Sequence, residues 1–239
     1  TVASVEMAPD RPIRPDALEW RSPVTPEVDA ELRAEGRSMV RLLHQMRVAL
    51  PLAPAVVAAT RPIDVRPFVA GSDDDAWLAV NNAAFAWHPD QGGWDRPRLH
   101  TALSEPWVRT DGFLVHDATN PDQPNPARID GFCWTKEHPA HDDGAHDDGA
   151  HADGAHDDGA GTCEPAMGEI YVIAADPSTA GTGLGGALTV AGLNHLHSRG
   201  LRVGMLYVEA INTPALRLYE RLGFVVHHSK AAYTTRTMR

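Results

Sequence analysis

DPSTAGTGLGG, from Asp176 to Gly186, joins two segments of different periodicity. Before it runs an apolar stretch of strand length, Ile170 to Ala175. After it Leu184, Ala187, Leu188, Ala191 and His195 recur at three- and four-residue spacing, which predicts a helix. A glycine-rich turn between a strand and a helix start leaves several backbone N–H groups pointing one way. The helix N-terminus adds partial positive charge, so the place suits a phosphate or pyrophosphate. Gly181, Gly183 and Gly185 permit positive φ and close approach of an anion to the backbone. A plain loop entering a buried helix reads equally well from these residues alone. No Gly-Lys-Ser/Thr follows, so the turn is not a Walker loop, and its glycine spacing is not that of a dinucleotide fingerprint.

The 239 residues allow one large domain or two small ones, and 43% of them are hydrophobic, enough for a core. No run of about 18 apolar residues occurs, so no membrane span is expected. The start, Thr1 to Arg14, lacks the apolar stretch of a signal peptide. It also lacks an initiator Met, which fits processing or a fragment. Cys133 and Cys163 form neither a disulfide framework nor a zinc spacing, and a reducing cytoplasm is the default. Net charge is −11, of which residues 141–160 contribute −7. The remainder is ordinary and leaves no basic footprint for nucleic acid.

Residues 1–60 read as a Pro-rich irregular segment and a linker, with a short helix at Glu27–Gly36 and a strand at Val40–Met46. A compact domain is expected from Ile63, with Ile63, Val65 and Phe68 in its first strand. Asp73-Asp74-Asp75 opens a helix carrying Trp77, Leu78, Asn81 and Phe85. Arg96-Pro97 opens another. Gly112–His116 and Ile129–Lys136 read as two strands. Four near-identical pentapeptides of the type His-Asp-Asp-Gly-Ala fill residues 141–160; too polar to bury a face, they are expected to be a disordered insert without a specific metal site. Then follow a strand Gly168–Ala175, a helix Leu184–Arg199, a strand Val203–Glu209, a helix capped by Asn212 or Thr213, and closing strands Phe224–His228 and Ala232–Met238. The alternation predicts an α/β or α+β layer on a mixed sheet.

This element order, with Ala180-Gly181-Thr182-Gly183-Leu184-Gly185 at the turn, resembles the GNAT acetyltransferase superfamily. The resemblance implies a mixed, largely antiparallel twisted sheet flanked by helices and an acetyl-CoA pyrophosphate on that loop. Ala180 stands where the superfamily carries Gln or Arg. Further stretches resemble the mycothiol synthase family: Ala86 to Gly92, Glu105-Pro106-Trp107, Trp134-Thr135-Lys136, Gly168 to Val172, Asp176-Pro177, Met205 to Glu209, Asn212 and Leu218 to Phe224. They cover roughly residues 61–239. That family acetylates the cysteinyl amine of Cys-GlcN-Ins with acetyl-CoA, using tandem GNAT domains of which the second is catalytic. Residues 31–50, ending in Gln45-Met46-Arg47, resemble the end of the first domain.

Alternation along its strand places Glu169 on one face with Tyr171 and Ile173. Acetyl transfer needs a neutral amine, so a carboxylate must accept a proton. The resemblance implies that base is Glu169, and that Tyr219 protonates the leaving thiolate; otherwise Glu169 is a solvated strand end and Tyr219 a core aromatic. It implies substrate contacts for Asp90, Lys136 and Tyr207 as well as Glu169. It implies that Ile173, Ala174 and Ala175 offer backbone groups to the pantetheine, as an added strand would pair. The remaining acetyl-CoA contacts fall on Ala180, Gly181, Thr182, Gly183, Leu184, Gly185 and Gly186, and on Asn212, Thr213, Pro214, Ala215, Leu216 and Arg217. Ile211 stands where Asp is common. Trp87, Trp94 and Trp107 read as packing anchors. The expected activity is a monomeric, cytoplasmic N-acetyltransferase for a small-molecule amine; a GNAT enzyme for another amine and a non-catalytic acyl-CoA-binding fold are the competing readings.

Overall fold

A computed structural model describes residues 18–86, 91–118, 128–140 and 164–234. Among the described residues eight strands form one sheet: β1 (Glu19–Arg21), β2 (Ser38–Ala49), β3 (Arg66–Pro67), β4 (Phe113–Asp117), β5 (Ile129–His138), β6 (Met167–Ala175), β7 (Val203–Glu209) and β8 (Val225–Thr234). The helices are α1 (Pro26–Ala34), α2 (Pro54–Ala58), α3 (Asp74–Ala84), α4 (Arg96–Leu103), α5 (Leu184–Ser198) and α6 (Thr213–Arg221). The strand order is β1-β8-β2-β7-β6-β5-β4-β3. All neighbours are antiparallel except β6 and β7, which are parallel and are joined by a crossover that contains α5. The expected mixed, largely antiparallel sheet flanked by helices is what forms.

Two apolar clusters cover its two faces. On one, α5 and α6 bring Leu184, Leu188, Leu193, Leu196, Tyr219 and Leu222 against Cys133, Ile170, Leu206 and Val208. α5 approaches so closely that a Cβ on Gly192 would run into Cys133 Sγ and sit 2.8 Å from Ile170 Cδ1. On the other face Trp77 of α3, Leu99 of α4 and Trp94 just before α4 pack on Phe113, Phe132, Trp134 and Val172. Phe113 and Trp134 stack there with centroids 4.3 Å apart. Trp94 and Trp107 are packing anchors as expected; Trp87 lies outside the described residues.

The described part of residues 1–60 is not an irregular lead-in. β2 runs for 12 residues and lies between β7 and β8, pairing with both. The reason is long-range: its Met46 joins the α5-side core while its neighbours Gln45 and Arg47 face the opposite side. α1 forms where a helix was expected at Glu27–Gly36 but ends at Ala34, and α2 occupies part of the expected linker. The first strand expected at Ile63–Phe68 shrinks to Arg66–Pro67. The two expected closing strands are one, β8, because nothing in Ser229-Lys230-Ala231 breaks the pairing with β2. The pentapeptide insert lies outside the described residues. Among those described, no helix is long and apolar enough to cross a membrane.

Candidate functional site

β6 and β7 pair only at Gly168–Gly204 and Glu169–Met205. Beyond Glu169 they part, while β6 remains paired with β5 up to Ala175 and β7 remains paired with β2 up to Glu209. The β6 edge from Ile170 to Ala175 therefore faces an opening. Alternate residues on that edge direct N–H and C=O groups into it, which is how an extended ligand is held by strand addition.

A β-bulge sits at the mouth of this opening. Trp134 pairs with Val172 and Thr135 with Ile170, so two steps of β6 oppose one step of β5. The bulge reverses the alternation. Glu169 lies opposite to Ile170 and shares a face with Tyr171, but Ile173 packs in the α5-side cluster and Val172 in the α3-side one. The expected common face of Glu169, Tyr171 and Ile173 is corrected accordingly. Residues 173–175 keep their place on the open edge.

The strand registers line up a transverse row on the α3-side face: Lys136 on β5, Glu169 on β6, Met205 on β7 and Arg47 on β2. Glu169 is only 8% exposed. Its Oε2 lies 2.8 Å from Nε2 of His138, which donates to the carboxylate. Lys136 places its ammonium 5.1 Å from the ring centroid of Trp107, and Trp107 packs edge-on against Tyr171. Burial and the Glu169 and Glu105 carboxylates push the Tyr171 phenol up to about 12. In the next row Tyr207 pairs with Gln45, whose Nε2 lies 2.8 Å from the phenol oxygen. Burial raises the Tyr207 pKa, and the Gln45 bond opposes that rise. Glu169, Lys136 and Tyr207 thus converge. Asp90 lies outside the described residues.

Tyr219 is on the other side of the sheet. It is 8% exposed, packs beside Phe224, and belongs to the cluster that holds Cys133 and Leu184. Burial pushes its phenol well above the usual tyrosine range. Among the described residues its hydroxyl has no hydrogen-bond partner. The opening between β6 and β7 is the break in the sheet between the Glu169 face and the Tyr219 face.

The glycine-rich turn follows β6 directly. Asp176 accepts from Ser178 N and Oγ, which folds the chain into a tight turn before α5. Gly181 and Gly183 have φ of 78° and 82°, and a Cβ at either would meet nothing within 4 Å. Space therefore lies above the loop, and only glycine adopts this backbone without strain. The N–H groups of Gly183, Leu184, Gly185 and Gly186 find no partner among the described residues, as the first turn of an uncapped helix requires. Arg61 reaches the same loop, its Nη1 3.4 Å from the Thr182 carbonyl. Asn212 caps α6 by accepting from Ala215 N, and Leu218 of α6 lies against Gly186 of α5, so residues 212–217 start beside the loop. Ile211 is 81% exposed.

Two partners of the site went unread in the sequence. His138 stands two residues after Lys136 on the same strand and holds Glu169. Gln45 belongs to the Gln45-Met46-Arg47 stretch, whose family likeness was visible but whose destination was not.

The family described as FR47-like protein matches residues 158–233. A mycothiol acetyltransferase of Mycobacteroides abscessus is 41% identical over 83% of this chain and 57% of its own length. One of Acidimicrobium ferrooxidans is 44% identical over 79% of this chain and 52% of its own. The chain thus spans little more than half the length of these two relatives. Among solved structures, a GCN5-related N-acetyltransferase from Sphaerobacter thermophilus superposes with a TM-score of 0.64 at 20% identity, covering 93% of this chain and 60% of that one. The fold is therefore the GNAT fold. A mycothiol acetyltransferase of Segniliparus rotundus is 39% identical over 92% of this chain and 73% of its own length, and the chain belongs to the mycothiol acetyltransferase family.

Proposed function

We propose that this chain transfers an acetyl group from acetyl-CoA to the cysteinyl amine of Cys-GlcN-Ins, forming mycothiol. The observation that carries the reading is a buried carboxylate, Glu169, at the point where β6 and β7 part, in a chain of this family. The loop fits the co-substrate: open space over two positive-φ glycines and unpartnered N–H groups at a helix start suit a diphosphate. Gly181 to Gly186 would hold the diphosphate, Ile173 to Ala175 the pantetheine amides, and the first turn of α6 the remainder. Acetyl-CoA supplies the acetyl group as a thioester.

The amine enters from the Glu169 face. Glu169 accepts one ammonium proton, leaving the nitrogen lone pair free for attack, and His138 keeps the carboxylate turned to the amine by holding Oε2. Lys136 and Tyr207 orient the rest of the substrate, as does Asp90. Tyr219, neutral because burial raises its pKa, gives its hydroxyl proton to the departing thiolate sulfur. The nitrogen gives up its second proton to solvent as the C–S bond breaks, and solvent restores the Tyr219 proton, so the net result is a new C–N amide bond, a broken C–S bond and a free thiol. We read residues 1–60 as the end of a preceding domain whose last strand is built into the sheet. The chain acts as a monomer in the cytoplasm, where the buried free thiol of Cys133 accords with a reducing compartment.

Incubation with acetyl-CoA and Cys-GlcN-Ins, followed by mass spectrometry, tests the reading. One acetyl group on the cysteinyl nitrogen is expected. Acetylation of other amines with none on Cys-GlcN-Ins would overturn the substrate, and CoA-dependent binding without turnover would overturn catalysis.

A further inference from the structure

The substrate face contains a chain of side chains with a fixed hydrogen-bond direction. Glu164 Oε1 lies 2.7 Å from Arg47 Nη2, and Arg47 Nε lies 2.7 Å from Gln45 Oε1. Gln45 Nε2 lies 2.8 Å from the Tyr207 oxygen. A guanidinium carries donors only, so Arg47 must face the carbonyl oxygen of the Gln45 amide. The amide nitrogen is thereby turned to Tyr207, and an amide nitrogen only donates. The Tyr207 oxygen is then an acceptor in this bond, and its own proton has to go elsewhere. Gln45 is 4% exposed, so no water competes for the amide, whereas Tyr207 at 36% exposure opens toward solvent. Lys230 lies over the Tyr207 ring at 4.6 Å and is again a donor group that takes no proton from the phenol.

We propose that the Glu164–Arg47–Gln45 relay commits Tyr207 to act as a hydrogen-bond donor toward the amine substrate, so that strand β2 selects a substrate bearing an acceptor atom at that point. This rests on the acetyltransferase reading for the identity of the substrate, but the bond direction does not. Gln45 and Arg47 are positioning residues that act through Tyr207. Gln45 lies 162 positions from Tyr207 in sequence, which explains why a local reading of either stretch does not show the relay.

Gln45→Glu is the direct test, because it keeps the shape and reverses the bond. The new carboxylate accepts from Arg47 and from the Tyr207 hydroxyl, drawing the proton out of the site. The expected result is a KM for Cys-GlcN-Ins raised about tenfold, the usual worth of one hydrogen bond, with the KM for acetyl-CoA unchanged. Tyr207→Phe should give a similar loss, and Gln45→Glu should add nothing to it in the double variant. An unchanged KM, or losses that multiply, would overturn the proposal. Tyrosine labelled with ¹³C at the ζ carbon gives a readout independent of activity. The Tyr207 phenol, identified by its absence in Tyr207→Phe, should titrate at higher pH in Gln45→Glu than in the wild type; an equal or lower value would overturn the bond direction. If the wild type fails to acetylate Cys-GlcN-Ins while this titration shift occurs, the substrate reading falls and the relay stands. Should Gln45→Glu not fold, Gln45→Met carries the same cycle, with a loss that vanishes in the Tyr207→Phe background expected and an additive loss contradicting it.

Discussion

Tyr219→Phe removes one oxygen from a well-packed ring, and the structure allows its consequences to be separated. The ring is 8% exposed and 5.7 Å from Phe224, so packing is retained in the variant. The hydroxyl has no partner among the described residues, so no internal hydrogen bond is lost. Stability should stay within about 1 kcal/mol of the wild type, which is a melting shift of about 2–4 °C for a chain of this size. Turnover is a different matter if the hydroxyl gives its proton to the thiolate. A positioned general acid is worth about 10²–10⁴-fold, and a thiolate leaves with less help than an alkoxide or amide. A loss of about 10- to 100-fold is therefore expected, or about 1.4–2.8 kcal/mol in the barrier. The KM for acetyl-CoA should hardly change. The raised phenol pKa keeps Tyr219 protonated through neutral pH, so its loss of activity should be flat across that range. Released CoA separated and quantified by liquid chromatography gives turnover; a melting curve gives stability. Wild-type turnover in a stable Tyr219→Phe protein would refute the reasoning and return Tyr219 to the role of a core aromatic.

Three further outcomes follow from the fold and the loop. A chain beginning at Arg61 lacks β2, so β8 loses its link to β7; it should fail to give a cooperative melting transition, and a folded, active fragment would contradict the strand order. Gly183→Ala places a side chain at φ 82°, costing about 1–2 kcal/mol from the backbone alone, and should in addition shrink the rise in melting temperature that acetyl-CoA produces. An undiminished acetyl-CoA shift would separate the loop from the co-substrate. Burial pushes the Cys133 thiol from 9.0 to about 12, so above pH 9 the unfolded chain loses this proton before the folded one does. Stability should then fall by about 1.4 kcal/mol per pH unit from this group between those values, and Cys133→Ala should remove that slope.

Where local pattern and final contact coincide, the sequence was a good guide. The apolar run into the glycine turn, the 3.6-residue stripe of α5 and the Asn-Thr-Pro start of α6 each describe one element that folds on its neighbours, and Val203–Glu209 is a strand as expected. Glu169 lies near the start of its strand, as alternation along Gly168–Ala175 led one to expect. The rest depends on contacts between distant segments. Nothing in Ser38–Ala49 announces that β2 will lie between two strands more than 150 residues away. The bulge opposite Trp134 and Thr135 involves no glycine or proline, so period-two alternation carried Ile173 to the wrong face. His138 and Gln45 are ordinary polar residues in strands until the registers place them beside Glu169 and Tyr207.

The central claim is that Glu169, at the point where the sheet opens, accepts the proton of the attacking amine. Turnover of Cys-GlcN-Ins against pH, compared between the wild type and Glu169→Gln, tests it most directly. The substitution preserves the size of the side chain and its contact with His138. At neutral pH the variant should be slower by about 10²–10⁴-fold, and the gap should narrow as pH rises and free amine forms without help. A Glu169→Gln enzyme that matches the wild type at every pH would remove this carboxylate from the reaction.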